Sequence, residues 1–151
     1  MSVTRTARRV LALLTLGLCV LHGRASADVT LLPQQSRVGV TQRYTMRVPG
    51  EGQVRTTSVE LEIPADVTIT AILGRGAYTY EFVRQDGRIA RVIWTQVIRP
   101  GQVGEFVFLA KNPRARAITW RTHQHFADGS SIHWVGPAGD RRPAAVVKLN
   151  P

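Results

Sequence analysis

The segment THQHFADGSSIHW, residues 122–134, holds three histidines, and imidazole is the commonest side-chain ligand for transition metals. His123 and His125 stand two residues apart, which places both on one face of a strand, under ~7 Å from each other. Two imidazoles so placed can reach one ion. Asp128-Gly129 lies midway along the segment, and this dipeptide signals a two-residue hairpin turn because both residues tolerate positive φ. Such a turn sets His125 opposite Ile132, Gln124 opposite His133 and His123 opposite Trp134. In that register His123, His125 and Trp134 share one face, and His133 lies on the other with Gln124. The same pattern also suits plain solvent-facing strand residues.

Little else in the chain points to chemistry. There is no nucleophile elbow and no glycine-rich phosphate loop opening a helix. Glu60 and Glu62 share a strand face, where an alternating polar stripe accounts for them. The chain is therefore expected not to be an enzyme.

The elements that would position these residues begin after an expected export signal. Arg5, Arg8 and Arg9 precede the apolar run VLALLTLGLCVL, and Ala25-Ser26-Ala27 is the small-x-small pattern that a signal peptidase reads. Twelve apolar residues reach only ~18 Å as a helix, short of a bilayer core of ~30 Å. Arg8-Arg9-Val10-Leu11 also resembles a twin-arginine export signal. Cleavage after Ala27 makes Asp28 the first residue of a domain spanning 28–151, periplasmic or secreted, with no transmembrane segment. Cys19, the only cysteine, leaves with the signal, so the domain relies on its hydrophobic core rather than on disulfides.

Cleavage also trims the charge. Of 20 basic residues four lie before residue 28, leaving 16 − 10 = +6. Eighteen of the 20 are arginines, scattered singly apart from Arg141-Arg142 in residues 28–151, so no basic cluster marks a nucleic-acid surface. A general attraction to anionic envelope surfaces is compatible with that charge.

From Val29 onward the apolar residues alternate. Val59, Leu61 and Ile63 alternate with Ser58, Glu60 and Glu62, and the same period runs through 37–48, 67–73, 77–83, 88–98, 105–110, 117–126 and 131–135. Pro-Gly, Asp-Gly and Asn-Pro pairs punctuate the runs at intervals of ~8–15 residues. The pattern predicts an all-β sandwich of seven to nine strands with negligible helix.

The order ADVTLLPQQSRVGVTQRYTMRVPGE, TTSVELEIP, GEFVFLAKNP, WRTHQHFADG and HWVGP resembles the YcnI-like copper-binding family across essentially all of 28–140. The combination carries the resemblance: VPxE, T-x-x-VELxIP and Q-x-aromatic-x-DG-x(4)-W. It implies an exported sandwich of immunoglobulin-like or cupredoxin-like type concerned with bacterial copper handling, alongside other copper-handling proteins of the envelope. It also implies a site in which an N-terminal His chelates Cu(II) through its amine and imidazole, a Glu adds oxygen and a Trp lies close by. Carried over, the Trp falls on Trp134, the Glu on Glu105 and the His on Asp28. This last position departs from the family pattern. An α-amine and an Asp carboxylate still offer N and O donors, but the loss of imidazole lowers affinity for copper. Three readings stay open: weak copper binding through Asp28, recruitment of His123, His125 or His133, or a metal-free interaction module that keeps the fold.

Overall fold

The computed structural model describes residues 27–74 and 78–151. Residues 1–26, which carry most of the expected export signal, and residues 75–77, which include the first residue of the run at 77–83, lie outside the described residues. Among the described residues there are strands and no helix, and so no helix long and apolar enough to cross a membrane.

The strands are β1 (Thr30–Leu32), β2 (Gln35–Arg37), β3 (Thr41–Pro49), β4 (Thr56–Glu62), β5 (Thr68–Leu73), β6 (Thr79–Gln85), β7 (Arg88–Ile98), β8 (Val103–Lys111), β9 (Ala117–Trp120), β10 (Thr122–Phe126), β11 (Ser131–Trp134) and β12 (Ala145–Asn150). The class is all-β as expected, but two long runs are divided. The run at 37–48 breaks around Gly39, whose φ of 70° an extended strand cannot hold. The run at 117–126 breaks at Arg121, where the chain passes from one sheet to another within a single residue. β12 is a further strand, with Val147 and Leu149 turned inward.

The strands form a four-stranded sheet (β1-β3-β8-β5), a five-stranded sheet (β11-β10-β4-β7-β6) and a three-stranded sheet (β2-β12-β9). The first two lie face to face. Trp94 of β7 meets Phe106 of β8 with ring centroids 5.2 Å apart, and the Thr122 hydroxyl of β10 lies 3.7 Å from Met46 Sδ of β3. The third sheet closes one flank, where Trp120 of β9 packs edge-on against Tyr44 and Phe108. Tyr44, Met46, Leu61, Trp94, Phe106, Phe108, Trp120 and Trp134 are wholly buried in one continuous core. Full burial of an apolar side chain contributes ~1.5–3 kcal/mol, so this set sustains the domain without a covalent staple.

The hairpins show how turn chemistry sets register. Asp86 (φ 51°) and Gly87 (φ 75°) form the expected two-residue turn, and Gln85 pairs directly with Arg88. The turn at Asp128-Gly129 differs. Phe126 N–H donates to Ser130 O at 2.9 Å, Gly129 N–H donates to Phe126 O at 3.0 Å, and Gly129 alone takes positive φ (84°) there. This is a three-residue loop ending in a left-handed glycine, so the register is one residue away from the expected one. Thr122 pairs with Trp134, His123 with His133, Gln124 with Ile132 and His125 with Ser131. The faces are corrected accordingly. All three histidines share the outer face, while Gln124 and Trp134 point into the core.

Candidate metal centre

The sandwich brings its N-terminal strand and its last hairpin to the same side. In the four-stranded sheet the order runs β1, β3, β8, and in the five-stranded sheet β11, β10, β4, β7. Contacts from β3 to β10 and from β8 to β7 tie the two orders together, so β1 and β11 are matching edges. β1 pairs with β3 through Thr30–Arg47, and that register continued by two residues carries Asp28 towards Pro49. Asp28 is exposed, and Val29 after it is buried.

Pro49 is joined to Trp134 through one side chain. Gln124 donates from Nε2 to Pro49 O at 2.8 Å and to Thr56 Oγ1 at 2.7 Å, and its Oε1 accepts the Trp134 indole N–H at 3.1 Å. Gln124, Thr56 and Trp134 are all fully buried. A buried amide with every partner in place fixes its neighbours, because each unmade hydrogen bond here costs about 1–3 kcal/mol. The link from Pro49 to Trp134 is therefore held in place. Gly50 tightens it further: its N–H donates to Gln102 O at 2.7 Å, and a Cβ there would run into the Arg99 carbonyl oxygen.

Glu105 is placed elsewhere. It lies opposite Arg47 in the β3–β8 pair and forms an ion pair with it, Arg47 Nε to Glu105 Oε1 at 3.2 Å. Its neighbours Gly104 and Phe106 point inward, so Glu105 stands on the outer face of its sheet while Trp134 is inside. The structure does not bring these two residues together. The carboxylate that follows Pro49 in the chain is Glu51, which borders a cleft of about 250 Å³ with Phe126, Ile132 and Arg142. Its signal in the sequence was the acidic residue of VPGE itself.

The histidines form a separate polar row on the outer face of the five-stranded sheet. His123 Nδ1 lies 2.7 Å from His133 Nδ1, and His123 Nε2 lies 3.0 Å from Glu62 Oε1. His125 Nδ1 is 2.8 Å from Ser131 Oγ, and its Nε2 is 3.8 Å from Glu60 Oε2. Arg91 Nη1 donates to Glu60 Oε1 at 2.9 Å, and this contact raises the Arg91 pKa. Glu60 and Glu62 are thus partners of this row as well as the polar stripe of β4.

The donor sets differ in kind. At Asp28 the chain offers a carboxylate and, where Asp28 is the first residue, an α-amine; Cu(II) accepts both, although no imidazole stands at that position. Among the described residues no three His, Cys, Asp or Glu side chains converge as a ready-made metal cage.

Comparison with known proteins bears on the choice. The chain is 32% identical over 129 residues to the copper-binding protein CutI of Bacillus subtilis (strain 168), a match that spans 83% of this chain and 63% of that relative's length. Among solved structures, a Nocardia farcinica protein described as having an immunoglobulin-like fold superposes with a TM-score of 0.74 at 24% identity, over 82% of this chain and 99% of that one. That likeness shows the fold. No family model matches the chain.

Proposed function

We propose that the chain, 32% identical to a copper-binding protein, is a YcnI-like exported domain that binds Cu(II) and passes it on by ligand exchange. The binding place is the side of the sandwich whose edge strands are β1 and β11. The Asp28 amine and carboxylate supply N and O donors, Glu51 is the carboxylate at hand on the turn after β3, and Trp134 backs the site from inside. The partners would be other copper-handling proteins of the bacterial envelope. Transfer without redox turnover suits the residues from 28 onward, which include no Cys and only one Met, the buried Met46. Cu(I) prefers such soft sulfur ligands. The observation that carries the reading is the matching of the β1 and β11 edges, joined through Pro49, Gln124 and Trp134.

The test is direct. The exported protein is purified, its first residue identified by mass spectrometry, and Cu(II) added while tryptophan emission is followed. The expected result is a start at Asp28 and a quenched emission component that saturates with one equivalent of copper and that Trp134→Phe removes. Quenching of that component that is indifferent to Asp28→Ala would overturn this placement of the site.

One observation favours a second reading, an envelope interaction module that keeps the fold without metal. The residue at the family's His position is Asp28, and among the described residues no cage replaces the missing imidazole. The same titration showing no copper bound would select it.

A further inference from the structure

His123 and His133 take no part in the reading above. They face each other across β10 and β11 with ring centroids 4.9 Å apart and Nδ1 atoms 2.7 Å apart, on the face of the sheet opposite Trp134. Glu62 Oε1 sits 3.0 Å from the far nitrogen of His123. A carboxylate accepts, so the tautomer of His123 with its proton on Nε2 donates to Glu62 and leaves the Nδ1 lone pair on the side of His133. Metal-binding histidines are held in this way, one ring nitrogen on a carboxylate and the other free for the ion. Arg91 engages Glu60 at 2.9 Å, which leaves Glu62 as the carboxylate that orients His123.

We propose that His123 and His133, oriented by Glu62, form a second metal site, distinct from the Asp28 edge, for an imidazole-preferring divalent ion of the Cu(II), Ni(II) or Zn(II) class. Two imidazole nitrogens each ~2.05 Å from one ion stand ~2.9 Å apart at right angles, as on tetragonal Cu(II) or Ni(II), and ~3.3 Å apart on tetrahedral Zn(II). From the observed 2.7 Å the pair opens by a few tenths of an ångström for the first geometry and by more for the second, and both surface rings turn so that their Nδ1 lone pairs meet at the ion, with His133 protonated on Nε2. Opening disturbs no core, because His133 is exposed and His123 is half-buried at the surface. His125 is directed to Ser131 and Glu60 and stays outside the pair. Water fills the remaining positions on the ion. The site does not depend on where the chain begins.

The test uses the whole exported protein with Cu(II), read by pulsed electron paramagnetic resonance, which detects the remote nitrogen of a coordinated imidazole. Zn(II) is titrated in parallel with the ring nitrogens followed by NMR. The Asp28 edge offers no imidazole, so the two sites are separable. The expected result is an imidazole signal that survives Asp28→Ala and disappears in His123→Ala/His133→Ala, with Zn(II) shifting both rings. Glu62→Gln should keep both ligands yet weaken binding about 10–100-fold. Circular dichroism confirms that these surface variants remain folded. An absent imidazole signal in the unaltered protein overturns the proposal, as does one that persists in the double variant. Failure of the Asp28 site alone would appear as copper bound only with imidazole ligation, and leaves this inference standing.

Discussion

The indole N–H of Trp134 donates to the side-chain oxygen of Gln124 at 3.1 Å, with both side chains withdrawn completely from solvent. A buried indole N–H needs a partner, and among the described residues Trp94 and Trp120 lack one. At Trp134 a buried amide collects the donor and uses its own two hydrogens on Pro49 and Thr56. The last hairpin, β3 and β4 are thereby locked at one point.

Gln124→Leu should therefore destabilise the domain by about 3 kcal/mol, because it orphans the Trp134 donor, the Pro49 carbonyl and the Thr56 hydroxyl together. Urea denaturation should show a lower midpoint at unchanged slope. A loss below about 1 kcal/mol would mean that the three groups find other partners.

Asp28→His should raise Cu(II) affinity about 100-fold, equivalent to ~2.8 kcal/mol, by returning an imidazole to the β1 edge. Competition against a chelator of known affinity measures it, on protein shown to begin at residue 28. An unchanged affinity would remove the β1 edge from consideration as a copper site.

Glu105→Ala should leave Cu(II) affinity unchanged and shift stability by no more than about 1 kcal/mol, since the Arg47–Glu105 pair is exposed and screened. A large loss of copper binding would put Glu105 back among the ligands.

The acid limb of stability should carry a contribution from Asp128. The Ser130 hydroxyl at 2.6 Å, and then the Ser130 backbone N–H at 3.0 Å, hold its carboxyl below the usual carboxylate range. A depressed folded pKa stabilises above the unfolded value of about 3.9, and the effect is lost as pH falls through the folded pKa. NMR titration of the Asp128 carboxyl should therefore show a midpoint below that of a model peptide. In Asp128→Ala the hairpin should lose this part of its acid sensitivity, measured by amide exchange at Gly129 and Ser130.

The alternation of Val59, Leu61 and Ile63 with polar neighbours was enough to read strands and the all-β class, because period 2 follows from the pleat alone. What could not be read was the length of the Asp128-Gly129 turn. Two-residue and three-residue loops both welcome Asp-Gly, yet they differ by one residue in register. That single step moved Trp134 inward and His133 outward, and with them the candidate ligands. The sheet change at Arg121 was equally hidden, since Trp120 and Thr122 are both buried and a continuous strand would make the same pattern locally. The resemblance put the family's Glu on Glu105, and its pairing with Arg47 rests on strand neighbours 58 positions apart (105 − 47), which the local pattern does not reveal.

The parallel pairing of β2 with β12 has a mechanical consequence. Gln34 O accepts from Lys148 N–H and Asn150 O accepts from Val38 N–H, each at 2.9 Å, so strands near the two ends of the domain lie side by side and point the same way. Tension applied between Asp28 and Pro151 would drag β2 backwards and β12 forwards along their common axis. Those bonds would be strained together in shear rather than opened one after another like a zip. Single-molecule extension from these ends should meet a distinct resistance peak, governed by the unfolding rate. Tethers on the two strands of the β6–β7 hairpin, pulled apart across their ladder, should give way at lower force. If both geometries yield at the same force, the β2–β12 pair is no clamp.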